Sequence, residues 1–168
     1  DFVSFGVAPS VLIYLWSTNS LGSLGWGATL FFVICSSLRL ARFTADIYIT
    51  NKPIDDNEYF VGIPSPAAAG LVLLPLFIFF EFNLEFIKNE YLNLFSTILV
   101  GFLMISKIPT LSLKKLNINQ KYKTWIILIF VFISVALASK IWLTLILLFI
   151  IYIGSIFYTI IKNREIKQ

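Results

Sequence analysis

The chain has 168 residues, of which 58% are hydrophobic and 13% charged, and its formal net charge is +4. A soluble domain is about half apolar and about a quarter charged, so these proportions exclude an ordinary soluble globule. With no histidine and one cysteine, Cys35, the residues present also exclude histidine-based triads, histidine metal sites and a disulfide framework.

The apolar residues collect in long runs, and the ionisable ones gather between them. Crossing about 30 Å of hydrocarbon takes about 20 apolar residues. Six segments approach that length, and helices are expected because a backbone in lipid must satisfy its own hydrogen bonds. A closed barrel would show short alternating segments, which are absent. The predicted fold class is therefore all-α: a polytopic transmembrane helical bundle of about six spans, with residues 1–168 forming a single transmembrane domain.

The first segment, Phe2–Trp16, opens on Asp1. Asp1, Ser4 and Ala8 are spaced by three and four, so they share a helix face that is expected to point into the bundle. Pro9 is expected to bend this helix. A helix of this length is only about 22 Å long, and a carboxylate at its start reads as the middle of a longer span, so further sequence is expected upstream.

The second segment, Trp26–Leu40, runs into Arg39 and Arg42. Ser36, Arg39 and Phe43 share a face, as do Arg39 and Arg42. The two arginines can snorkel to headgroups or bind an anion. The stretch Thr44–Pro66 is irregular, with turn residues at Asn51-Lys52-Pro53 and Asp55-Asp56-Asn57. Pro64 and Pro66 forbid a helix through Pro64, and Pro66 suits a first helical turn. With Gly62 they predict a fixed loop.

The third segment, Ala67–Phe80, opens with Ala67-Ala68-Ala69-Gly70, small residues that let helices approach closely. The fourth is Tyr91–Ser106. The basic connection Lys107–Lys123 follows and is expected to lie against headgroups. The fifth, Trp125–Ser139, and the sixth, Ile141–Ile161, are apolar almost throughout and read as scaffold or lipid-facing helices, joined by a tight Ser139-Lys140 turn.

If the segments alternate in direction, all lysines and arginines but Lys88 and Lys140 fall on one side, which is therefore the cytoplasmic one. An anionic lipid surface accounts for the positive charge, and nucleic acid is not needed. The first span leaves this side and the second returns to it, so Asp1, Arg39 and Arg42 meet at one depth. A carboxylate there can bind a divalent cation or take a proton. Arginine forks can bind phosphate oxygens. An Asp–Arg ion pair that only fixes packing is equally compatible with the pattern.

Four ordered motifs carry a family resemblance. Asp1-Phe2-Val3-Ser4-Phe5-Gly6-Val7-Ala8-Pro9 resembles the end of the CDP-alcohol phosphatidyltransferase signature, D-x2-D-G-x2-A-R-x8-G-x3-D-x3-D, as continued in its phosphatidylserine synthase branch by D-x-V-S-F-G-V-A-P. Leu38-Arg39-Leu40-Ala41-Arg42-Phe43 is similar to that branch's L-R-L-A-R-F segment. Phe60–Ala68 is similar to its F-x-G-L-P-x-P-A-A loop, with Ile63 in place of leucine. Leu103-Met104-Ile105-Ser106 with Ile108-Pro109 resembles its L-M-V-S-x-I-P segment. The likeness is dense over residues 1–110 and weak beyond.

The resemblance implies phosphatidyl transfer from CDP-diacylglycerol to L-serine, giving phosphatidylserine and CMP, in a bacterial or archaeal cytoplasmic membrane with the site facing the cytoplasm. It implies a divalent cation, Mg2+ or Mn2+, and a homodimer among membrane lipids. Asp1 matches the aspartate taken as general base, and as a metal ligand. Arg39, Arg42, Ser4, Gly62, Pro64 and Ser65 are the implied substrate-binding residues. The rest of the signature is expected upstream of Asp1, and residues 1–168 alone are expected to be inactive.

Other acceptors within the family, glycerol phosphate or inositol phosphate, would want more basic residues in the pocket. A transporter would show inverted repeats or broken helices near the midplane, and only Pro9 hints at one. A membrane scaffold without chemistry would use Asp1 and the arginines as packing pairs.

Overall fold

A computed structural model describes residues 1–49, 59–106, 109–111 and 123–166. It is an all-α helical membrane bundle. A π-helical turn, Val3–Val7, runs into α1 (Ala8–Trp16), and a short 3-10 turn at Thr18–Leu21 leads to α2 (Ser23–Ile49). A short strand, β1 (Tyr59–Val61), precedes α3 (Ser65–Phe82). After a 3-10 turn at Glu85–Lys88 come α4 (Glu90–Ile105), β2 (Pro109–Leu111), α5 (Lys123–Ser139) and α6 (Ile141–Ile166). Ser23–Ala45 and Ser65–Phe82 are long and apolar enough to cross a membrane, while the other four helical segments are apolar but shorter.

Each predicted segment coincides with a helix, and two boundaries are corrected. The second helix continues nine residues past Leu40, through Arg42 to Ile49. Leu, Ala and Arg are good helix formers, and Thr44 keeps its hydroxyl satisfied inside the helix by donating to the Leu40 carbonyl (2.9 Å). The loop before α3 also contains a strand. Tyr59, Phe60 and Val61 pair antiparallel with Leu111, Thr110 and Pro109, a non-local pairing that carries no periodic signal in three residues. The turns at residues 51–57 and the lysines 52, 107, 114, 115, 121 and 167 lie outside the described residues.

Small residues and aromatic rings set the packing directions. A Cβ on Gly6 would meet Ser36 Oγ at 2.6 Å, and Tyr14 meets Trp26 edge-on at 5.4 Å, so α1 and α2 are antiparallel. Trp16 meets Phe79 at 5.4 Å, which makes α1 and α3 parallel neighbours. Phe31 packs on Phe102 at 4.9 Å beside Gly101, holding α4 against α2. The small-residue run at the start of α3 works as anticipated: Ala68 and Ala69 are buried, and the Phe149 ring of α6 lies directly over Gly70. Trp142 reaches Phe80 and Phe77 on the same helix, so α6 runs antiparallel to α3. Ile13, Phe32, Ile63, Ala68, Leu71, Val72, Val100 and Met104 form the common core.

The first π turn overturns one expectation. Asp1, Ser4 and Ala8 are all exposed, and Gly6, Pro9, Ser10 and Ile13 face the other helices. Closest approach goes to the residue without a side chain, Gly6. Pro9 also lacks the N–H that would bond the Phe5 carbonyl, and the turn before it is wide, with Ala8 N–H donating to the Val3 carbonyl. Along α5, residues 125–132 are exposed on every face, as expected of a lipid-facing helix.

Candidate functional site

The helix directions bring the four sequence motifs to one end of the bundle. From the Gly6–Ser36 contact, Asp1 lies roughly 7 Å back along its own helix, and the same distance along α2 reaches the Arg39–Arg42 turn. Asp1 is therefore level with the arginines. Among the described residues no ion pair joins it to either of them.

The two arginines separate. Three residues of helix turn them to different sides: Arg42 is exposed, and Arg39 is half-buried and faces α3. Arg39 donates from Nη1 to Ser65 Oγ over 3.0 Å. Ser65 is the first residue of α3 and only 3% exposed. Arg39 Nε is buried and has no hydrogen-bond partner among the described residues. Ser4 is exposed one turn from Asp1, apart from the Arg39–Ser65 pair.

The loop that presents Ser65 is fixed by its neighbours. Gly62 is buried with a φ of +80°, a left-handed conformation that costs residues with a Cβ about 1–2 kcal/mol. A Cβ there would also lie 2.7 Å from the Met104 carbonyl oxygen and 3.0 Å from that of Ser106. The end of α4 thus closes over Gly62, and the β1–β2 pair clamps the same two chain segments just beside it. Ile63 anchors the loop in the core at 1% exposure. Pro64 then holds extended backbone (φ −57°, ψ 144°) and its carbonyl accepts the first helical hydrogen bond, from Ala68 N–H at 2.9 Å. Pro66 falls in the first turn, where its missing N–H is harmless.

One residue at this end gave no sequence signal. Tyr152 of α6 packs against the core one turn beyond Phe149, the ring over Gly70, and its hydroxyl is buried without a partner among the described residues. A lone tyrosine in an apolar helix, beyond the stretch of dense motif likeness, looks like any core aromatic.

The opposite end is built for cohesion. Ser17 donates to the Lys88 carbonyl at 2.9 Å, and Asn93 Nδ2 donates to Ser17 Oγ at 2.8 Å and to the carbonyls of Ile87 and Asn89 at 3.0 and 3.1 Å. A cavity of about 780 Å³ opens there, among Trp16, Asn19, Phe79, Glu85, Lys88 and Tyr91. None of the sequence-predicted site residues lines it.

A divalent cation takes about six oxygen ligands or more. No group of three His, Cys, Asp or Glu side chains able to hold a metal occurs among the described residues. Asp1 can supply one ligand, and the described residues do not by themselves form a metal site.

Comparison with known proteins gives a consistent result. No family model matches the chain. It is 37% identical over 134 residues to a CDP-diacylglycerol–serine O-phosphatidyltransferase of Helicobacter pylori, covering 80% of this chain and 53% of that protein. A protein of the same name from Mycobacterium leprae is 28% identical over 164 residues, 98% of this chain and 54% of the relative. One from Methanocaldococcus jannaschii is 37% identical over 108 residues, 64% of this chain and 44% of the relative. The chain spans about half the length of the curated relatives it matches. With its four motifs gathered at one end of a helical membrane bundle, the chain is similar over most of its own length to the phosphatidylserine synthase branch of the CDP-alcohol phosphatidyltransferases.

Proposed function

We propose that this end of the bundle, in the complete protein, transfers a phosphatidyl group from CDP-diacylglycerol to L-serine. The observation that carries the reading is the convergence of the four motif segments: Gly6 on Ser36, Arg39 on Ser65, and Gly62 on the Met104 and Ser106 carbonyls. The names of the similar proteins agree with it.

In the reaction, Asp1 accepts the proton of the serine hydroxyl. The freed oxygen attacks the lipid-side phosphorus, the bond from that phosphorus to the bridging diphosphate oxygen breaks, and CMP departs with that oxygen. Phosphatidylserine is left. Arg39, fixed by Ser65, offers its fork to an anionic substrate group, and Arg42 meets phosphate nearer the headgroups. Ser4, beside Asp1, faces the same approach. The Gly62–Ser65 loop limits the size of the acceptor. A divalent cation, Mg2+ or Mn2+, belongs to this reading with Asp1 as one of several ligands, and no step above depends on it.

The same proposal includes a multi-pass arrangement with residues 1–168 as one transmembrane domain. The Arg39–Arg42 end faces the cytoplasm, where the nucleotide is, and the protein works as a homodimer. The test is CMP release by the full-length protein in vesicles containing CDP-diacylglycerol, with serine, glycerol 3-phosphate or inositol phosphate as acceptor. Serine-dependent release is the expected result. Release only with a phosphorylated acceptor would replace serine, and no release with any acceptor would reject the transferase reading.

A further inference from the structure

Arg39 Nε and Tyr152 Oη are both buried, both able to donate, and neither bonds the other or any described group. Buried donors without acceptors are rare in folded proteins, because removing them from water is unfavourable. The third polar group here is Ser65 Oγ. It accepts from Arg39 Nη1, which leaves its own proton to donate. Arg39 Nε, the Tyr152 hydroxyl and the remaining Ser65 proton are thus donor capacity from three helices, α2, α6 and α3, at one end of the bundle. The ligand chemistry that satisfies such a set is an oxyanion.

Tyr152 is held there by the fold. Phe149, one turn earlier on α6, packs over Gly70, one turn into α3 from the Ser65 end. Tyr152, Ile153 and Ile156 then pack against the core cluster. The small residue at position 70 brings α6 close enough for its tyrosine to approach Arg39.

We infer that Tyr152, with Arg39 and Ser65, forms an oxyanion-binding subsite, with the Tyr152 hydroxyl as a donor that determines specificity. The inference rests on the proposed transferase reading and deepens it. Two substrates could bring the oxyanion: the acceptor, through the carboxylate of serine, or the nucleotide lipid, through a phosphate oxygen.

The substitution Tyr152→Phe in the full-length protein removes one O–H and keeps the ring. In vesicles, the expected result is a roughly tenfold rise in KM for one substrate, the scale of one lost donor to a charged group, with kcat changed less than about threefold. A rise in KM for serine, accompanied by reduced preference for serine over serinol, places the carboxylate in the subsite. A rise in KM for CDP-diacylglycerol places the phosphate there. Both results support the subsite. Unchanged KM values for both substrates, or a uniform loss of kcat with lowered thermal stability, would overturn it and leave Tyr152 a packing residue. Binding separates this from the transferase reading: inorganic phosphate or L-serine should raise the thermal midpoint of the wild-type protein, and less so that of Tyr152→Phe. If the wild type transfers to no acceptor but keeps this difference, the transferase reading fails and the subsite stands. If neither probe shifts the wild type more than the variant, the subsite fails.

Discussion

Arg39 Nη1 lies 3.0 Å from Ser65 Oγ and ties together residues 26 positions apart in the chain. The bond orients a planar guanidinium from within one long helix toward the first residue of another. A lysine in its place keeps the charge but loses the fork. Arg39→Lys is therefore expected to lower kcat/KM by roughly 10- to 100-fold, the scale of a charge-assisted hydrogen bond. Ser65→Ala removes only the orienting partner and should cost roughly fivefold. Arg42→Ala should act on CDP-diacylglycerol rather than on serine. Steady-state kinetics in vesicles, varying each substrate separately, measures all three, and equal KM values for Arg39→Lys and wild type would count against the role of the fork.

Asp1 is exposed at the start of its helix and level with the arginine turn. Its replacement by asparagine in the full-length protein conserves the shape of the side chain and removes its basicity. The thermal midpoint should stay within about 1 °C, while kcat drops by about 100-fold or more, the usual contribution of a positioned base. Activity within threefold of wild type would reject Asp1 as the base.

Gly62 is constrained by both its φ of +80° and the two α4 carbonyls beside it. Gly62→Ala should lower stability by about 2 kcal/mol or more and raise KM for serine as the loop shifts. Gly27, in α2 with nothing within 4 Å of a new Cβ, is the matched control. Gly27→Ala should be neutral or stabilising by up to about 1 kcal/mol. Thermal unfolding of the two variants side by side gives the comparison.

Asn93 is fully buried at the far end and donates to Ser17, Ile87 and Asn89. Asn93→Leu strands the acceptors it leaves and should cost about 1–3 kcal/mol. Because the loss falls at the end opposite Arg39, KM for serine in the folded fraction should not move. A change in KM without a change in stability would mean that the two ends are coupled.

Much of this arrangement is legible in the sequence. Long apolar runs locate helices because lipid leaves the backbone no alternative. The lysine and arginine pattern groups the segment ends that the helix packing brings together. The motifs named Arg39, Gly62 and Ser65, and the prolines marked where α3 begins. Local spacing could not show which arginine turns inward, since that depends on where α3 lies. It also assumed 3.6 residues per turn through Val3–Val7, where the turn is wider, and so aimed Asp1, Ser4 and Ala8 at the core. Tyr152 was invisible because its meaning comes from Arg39, more than a hundred residues away.

The wide turn at Val3–Val7 has an implication for the spacing of the gene product itself. A π turn holds about one residue more than the α turn it replaces, so the count between Asp1 and Pro9 sets the direction of the carboxylate. Deleting one residue from Val3–Val7 would let a regular α turn take its place with Asp1 on about the same side of the axis, whereas inserting one residue would swing it by roughly 100°. Length in this stretch is therefore constrained in one direction: a one-residue deletion should largely spare activity, and a one-residue insertion should lower kcat as far as replacing Asp1.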